Sequence, residues 1–173
     1  EVADQILNGL SDSFIVKNLS VRKRKIESKP PFTTSTMQQE AYLKHHYTTK
    51  KTQMVAQKLY EGIDIGNETI GLITYMRTDS IRLSPEFVSN ALGYIKNEFG
   101  ERYFGKVNSS QNKNNVQDAH EAIRPTSLSL TPKSIKQYLS LDEYNLYSLI
   151  YKRALASLMA PKEEEVTQVK LQS

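Results

Sequence analysis

Gly71-Leu72-Ile73-Thr74-Tyr75-Met76-Arg77-Thr78-Asp79-Ser80 opens apolar and β-prone, then turns polar at a tyrosine. An arginine lies two positions beyond it, followed by hydroxyls and a carboxylate. Buried segment ends that give way to polar loops are where folds display chemistry. A phenol is a weak nucleophile at neutral pH, with a pKa near ~10. A guanidinium beside it favours the phenolate and pairs with a phosphate oxygen. Tyr75 with Arg77 is thus a candidate nucleophile toward phosphate. The plainer reading is a strand-end tyrosine packing its ring, with Arg77 and Asp79 an ordinary surface ion pair.

Outward from this stretch the chain reads as mostly helical. Upstream, Lys51–Tyr60 predicts a helix with Val55 and Leu59 on its core face. Gln57 and Glu61 lie one turn apart on another face. An earlier helix is predicted over Met37–Tyr47, with Ser35/Gln38 and Thr36/Gln39 at capping-box spacing. Gly62 and Gly66-Asn67 predict a turn between β-prone Ile63–Ile65 and Ile70–Thr74. Downstream, Ser84-Pro85-Glu86 starts a helix with an apolar stripe of Val88, Leu92, Ile95 and Phe99, and Gly100 ends it. The Asn-, Ser- and Gln-rich residues 107–117 read as a surface loop. Thr131-Pro132 opens a helix to about Leu139. Ser140 with Glu143 caps the last long helix, to about Met159, with Leu146, Ile150 and Ala154 at whole-turn spacing. Asp142-Glu143 and Glu163–Glu165 read as helix-start and solvated charges.

The two ends differ from this middle. Glu1–Gly9 reads as the end of a helix, and Phe14–Lys25 as an extended segment. Its run Arg22-Lys23-Arg24-Lys25 fits a charge-protected edge strand or, alternatively, a phosphate-contacting patch. Lys29-Pro30-Pro31-Phe32 breaks regular structure. Thr167, Val169 and Leu171 alternate with polar residues, which predicts a final strand. The expected fold is mixed and mainly α, a helical domain (30–160) inserted between strands (1–29 and 161–173) of an incomplete β domain.

With 173 residues, the chain is long enough for one core, or one core and part of another. It has no cysteine, which excludes disulfides and thiolate metal sites. Its net charge of +4 and pI near 9.1 permit an anionic partner without specifying one. Mean hydropathy is −0.54, and no apolar run approaches membrane-spanning length. The opening EVADQILNGL has no leader character and reads as mid-protein, so an excised fragment is expected. The ten tyrosines suit half-buried surfaces and, secondarily, base stacking.

A second polar constellation is Asp118-Ala119-His120-Glu121-Ala122-Ile123-Arg124-Pro125, read as a short helical turn at most, stopped by Pro125. Phosphodiester transesterification needs an attacking hydroxyl, cations to hold charge on phosphorus, and a group to pass a proton to the leaving sugar oxygen. Tyr75, Arg77, Arg124 and His120 supply these if the two segments meet. His-Glu-Ala-Ile-Arg lacks the second histidine of HExxH, and the plain reading of His120 is a surface residue beside Glu121. His45 and His46 are adjacent and cannot chelate from one helical face. Nucleotide-loop and hydrolase-elbow motifs are absent, as is a tight acidic cluster suited to magnesium.

GLITYMRTDS and DAHEAIRPT, with PPFTTSTMQQEA and MVAQKLYEGIDIG upstream, resemble the type IA DNA topoisomerases, and among them bacterial topoisomerase I. The resemblance covers nearly the whole chain from about Phe14. Met76 after the tyrosine favours topoisomerase I over topoisomerase III, where proline is more usual. It implies that Tyr75 attacks one DNA strand and becomes joined to its 5′ phosphate. Arg77 would hold the scissile phosphate, His120 would contact the neighbouring backbone, and Arg124 would support that pocket. Gln57, Glu61, Thr74, Thr78 and Asp79 match positions near the active tyrosine and DNA. It also implies a cytoplasmic, nucleoid-associated bacterial enzyme that passes strands without ATP, the flanking strands belonging to a hinging arch domain. The family's Toprim domain, with its magnesium-binding acidic residues, lies outside this sequence. The expectation is therefore half an active site that binds single-stranded DNA, with no metal of its own and little cleavage alone. The competing functional reading is a non-catalytic helical module that grips single-stranded nucleic acid.

Overall fold

The computed structural model describes residues 2–10, 13–105 and 120–172. The elements in chain order are α1 (Val2–Asn8), β1 (Ile15–Ile26), α2 (Thr34–His45), α3 (Thr49–Glu61), β2 (Ile63–Asp64), β3 (Thr69–Ile70), α4 (Pro85–Phe99), α5 (Leu141–Ala156) and β4 (Lys162–Gln172). Short 3-10 turns cover Glu101–Tyr103 and Lys136–Tyr138. The chain divides into two compact units, Glu1–Glu27 with Pro161–Ser173, and Ser28–Ala160.

The first unit is built on an antiparallel β1–β4 ribbon, running from Ile15 opposite Gln172 to Ile26 opposite Lys162, with an irregularity between Val16 and Asn18. The basic run is answered across the ladder, with Lys23, Arg24 and Lys25 facing Glu165, Glu164 and Glu163. Glu163 and Glu165 are exposed, as the reading of solvated charges expects, and all three also stand as cross-strand partners of the basic run. Lys25 reaches Glu163 at 3.3 Å, in the open. Such exposed pairs add little stability, on the order of 0–1 kcal/mol each, but opposite charges directly across a ladder favour the register that brings them together.

In the second unit α5 runs through the core, burying Leu146, Tyr147, Ile150, Tyr151, Ala154 and Leu155. Its start is fixed as expected, by the reciprocal Ser140–Glu143 capping box. α2 contributes Met37 and Ala41, and α3 contributes Val55, Ala56 and Leu59. Arg153 ties α5 to α2 through Glu40 at 3.0 Å and lies over the Phe32 ring. Lys51 ties α3 to α5 through Asp142 at 2.8 Å. That bond holds the Asp142 carboxyl below its ordinary range.

Several local expectations are corrected. α2 starts at Thr34, capped by Thr33 and not by Ser35 or Thr36. The Thr33 N–H donates to Thr36 Oγ1 and the Thr36 N–H to Thr33 Oγ1. His46 closes that helix in the left-handed region, at φ 55°. The buried face of α4 is Phe87, Ala91 and Ile95, rotated from the expected stripe. Val88 and Leu92 flank it, and Phe99 is exposed against the rings of Tyr94 and Tyr103. Thr131–Leu139 forms turns and a 3-10 turn in place of an α-helix. There Thr131 accepts the Ser134 N–H and hydroxyl, a side-chain arrangement that competes with helix hydrogen bonding. Residues 107–117, read as a loop, lie outside the described residues, as do Asp118 and Ala119.

Candidate active site

The Gly71–Ser80 stretch is not a strand beyond Ile70. It is an irregular segment pinned from both sides. Leu72, Ile73 and Met76 are fully buried, and between them Tyr75 is 43% exposed. The apolar residues anchor the segment, and the phenol at the polar switch faces outward. At its entry the Leu72 N–H donates to Leu59 O on α3 at 2.7 Å. A Cβ on Gly71 would stand 2.6 Å from Tyr60 O, so this close passage requires glycine. The passage also sets Tyr60 beside Tyr75, ring centroids 5.3 Å apart and edge to face.

The second polar motif runs alongside. Residues 120–126 are extended, where the sequence reading had a helical turn. Ile123 bridges Phe32, and Pro125 bridges Ile73. Thr74, directly before Tyr75, is the crosspiece. Its N–H donates to Arg124 O, its hydroxyl donates to Ala122 O at 2.7 Å, and its Oγ1 accepts the Arg124 N–H. Thr126 adds two bonds, to Leu72 O and Gly71 O. The two motifs are thus adjacent in space, as transesterification by residues of both requires.

On the far side, Thr34 holds the loop after Tyr75. Its N–H donates to Thr78 O, its hydroxyl reaches Met76 O at 2.7 Å, and its Oγ1 accepts the Thr78 N–H. Arg77 projects from this clamp and lines a groove of about 900 Å³ together with Gln57. Gln57 donates to Glu61 Oε1 at 2.6 Å, so the two residues expected one turn apart do form a pair. Thr78 accepts the Ser80 N–H, and Asp79 is exposed. His120 is exposed, and its carbonyl accepts from Arg82 at 3.4 Å.

Arg124 is placed differently. Its guanidinium pairs with Glu121 at 2.7 Å, donates to Pro125 O and lies over the Phe87 ring. It lines a separate cavity of about 680 Å³ with Ser84, Phe87 and Leu128. In this conformation its charge is neutralised by Glu121, while its backbone is joined to Thr74. The sequence reading missed Tyr60 and Thr34 as supports. Tyr60 carries a faint signal, since it directly precedes Glu61, but no pattern in the run 33–36 singles out Thr34. Among the described residues no group of three or more His, Asp or Glu side chains gathers to hold a metal ion. No helix among them is long and apolar enough to cross a membrane.

Comparison with known proteins bears on this arrangement. The sequence model of a family described as DNA topoisomerase matches residues 1–173. The DNA topoisomerase 1 of Rickettsia felis is 47% identical over 152 residues, covering 86% of this chain and 20% of that protein. The structure of full-length topoisomerase I from Thermotoga maritima superposes with a TM-score of 0.84 at 40% identity, covering 100% of this chain and 28% of that one. The chain belongs to the DNA topoisomerase family, with the bacterial type IA topoisomerases I. It spans about a fifth of the length of the curated relative it matches.

Proposed function

We propose that this chain is the nucleophile-bearing part of a topoisomerase that relaxes negatively supercoiled DNA through a transient break in one strand. The Tyr75 oxygen attacks the scissile phosphorus. The phenol gives up its proton as a bond forms between that oxygen and phosphorus, the bond to the 3′ oxygen breaks, and the departing oxygen takes up a proton to leave as the 3′ hydroxyl. The strand is then held as a 5′-phosphotyrosyl diester. Reversal after strand passage reseals it, and no ATP is needed because the phosphodiester energy is retained. Arg77 pairs with a phosphate oxygen and His120 contacts the adjoining backbone. Arg124 serves through its carbonyl and N–H on Thr74. Gln57, Glu61, Thr78 and Asp79 border the strand.

The supporting observation is the exposed phenol of Tyr75, fixed between buried neighbours and bonded through Thr74 to the segment carrying His120. The partners proposed are single-stranded DNA and further domains of the parent chain. The ribbon would belong to a β arch domain into which residues 30–160 are inserted. Magnesium would be held by acidic residues of a Toprim domain elsewhere in the parent chain, as the resemblance to the type IA enzymes implies.

Tyr75→Phe in the parent enzyme tests the reading. Relaxation and covalent adduct should vanish while single-stranded DNA binding persists. Unchanged activity would favour a non-catalytic binding module. The isolated chain, mixed with single-stranded DNA and magnesium, should yield little covalent product; robust product would show that it carries a whole active site.

A further inference from the structure

The groove lined by Arg77 extends along α3, away from Tyr75, past Gln57, Met54, Gln53 and Lys50, with Gln38 of α2 opposite. Lys50, Gln53 or Met54, and Gln57 recur at helical spacing on one polar face of α3. The lining holds two cations and no carboxylate. Lys51, the neighbouring cation, is engaged elsewhere by Asp142 and the Tyr47 ring. Gln38 donates to Gln53 Oε1 at 3.4 Å, and Gln53 Nε2 is left buried with no hydrogen-bond partner. A buried amide donor without a partner points to one supplied from outside. Met54 is 56% exposed and offers a polarizable apolar surface at the groove wall.

Anion-pairing groups, an unmet amide donor and an apolar wall match the parts of a single-stranded nucleotide: phosphate, base edge and base face. Duplex DNA hides its base edges from such a groove. We infer that this groove is a subsite for the nucleotides immediately 3′ of the scissile phosphate, with Lys50 on a phosphate and Gln53 on a base edge. The inference rests on the 5′-phosphotyrosyl reading. Once the 5′ phosphate is on Tyr75, the strand continues from it in the 3′ direction. Arg77, whose flanking residues Met76 and Thr78 are held by Thr34, lines the groove.

The test uses the parent enzyme and single-stranded oligonucleotides with one fixed 5′ arm and either a long or a one-nucleotide 3′ arm. Covalent adduct formation is followed against oligonucleotide concentration. Wild-type enzyme should show a severalfold higher KM with the short arm. Lys50→Ala should raise KM for the long arm to the short-arm value, leave the short arm unaffected, and lower the salt slope of binding by about 1. Gln53→Leu should do the same without changing the salt slope. Lys51→Ala should keep the wild-type difference between arms. Unaltered melting temperatures would show that the variants fold. The inference is overturned if both groove variants keep the full arm dependence, if wild-type enzyme shows none, or if Lys51→Ala abolishes it equally. Tyr75→Phe separates the two levels: adduct without Tyr75 sinks both readings, whereas loss of adduct with an unchanged Lys50→Ala profile sinks the subsite alone.

Discussion

Thr34 sits at the first position of α2 with its N–H and its hydroxyl both engaged by the backbone of 76–78. Thr34→Val keeps the shape but leaves Met76 O and the Thr78 N–H unmet, so a loss of about 1–3 kcal/mol is expected by urea denaturation. Adduct formation in the parent should fall with it, and Thr34→Ser should restore both. Tyr60 acts on the nucleophile more directly. Tyr60→Ala removes an edge-to-face partner worth roughly 0.5–1.5 kcal/mol. It should slow adduct formation with little change in DNA affinity, while Tyr60→Phe should behave as wild type. Tyr75 and Arg77 stand out in the sequence because an abrupt apolar-to-polar switch is a local signal. Thr34 does not, because its partners lie more than forty positions away and its own neighbours are hydroxyl residues of the same kind.

Elements reach the site through backbone approach as much as through side chains. The 71–72 backbone passes close under the end of α3, and Gly71→Ala would drive a Cβ against Tyr60 O. A carbonyl in a helix cannot swing aside, so a loss of about 1–3 kcal/mol is expected, read as a lower thermal midpoint, together with displacement of the Tyr60–Tyr75 pair. Where capping chemistry is local and unique, as at Ser140–Glu143, the sequence marks the helix start directly. Where it is redundant, as in Thr33–Thr36, tertiary demand selects. Thr34 is drawn to 76–78, and the cap falls to Thr33 and Thr36. The α4 face shows a related effect. The stripe through Phe99 continues past the end of the packed surface, and burial follows Phe87, Ala91 and Ile95 instead.

For the molecule as a whole, two of the buried phenols, Tyr147 and Tyr151, resist ionisation most strongly. Tyr147 donates to Leu130 O at 2.6 Å and Tyr151 to Leu128 O at 2.7 Å. Burial raises both pKa values well above the ordinary phenol range, and in Tyr151 the neighbouring Tyr94 adds to the effect. The unfolded chain therefore loses these protons first. Their contribution to stability is complete below the ordinary phenol pKa of ~10 and is lost as pH rises beyond it. Thermal midpoints should fall steeply above about pH 10, and Tyr147→Phe with Tyr151→Phe should flatten that fall. The sequence marks both end segments as extended, but not their register, because the acidic run that answers Lys23–Lys25 stands at the opposite end of the chain. That pairing has a mechanical consequence. Residues 28–160 leave the ribbon from one end of its ladder, where Ile26 faces Lys162. A pull transmitted through them would load the ribbon rung by rung, as in unzipping, and the charged rungs from Lys25–Glu163 inward would part directly after the end pair. The force at which the ribbon opens should therefore fall as salt is added.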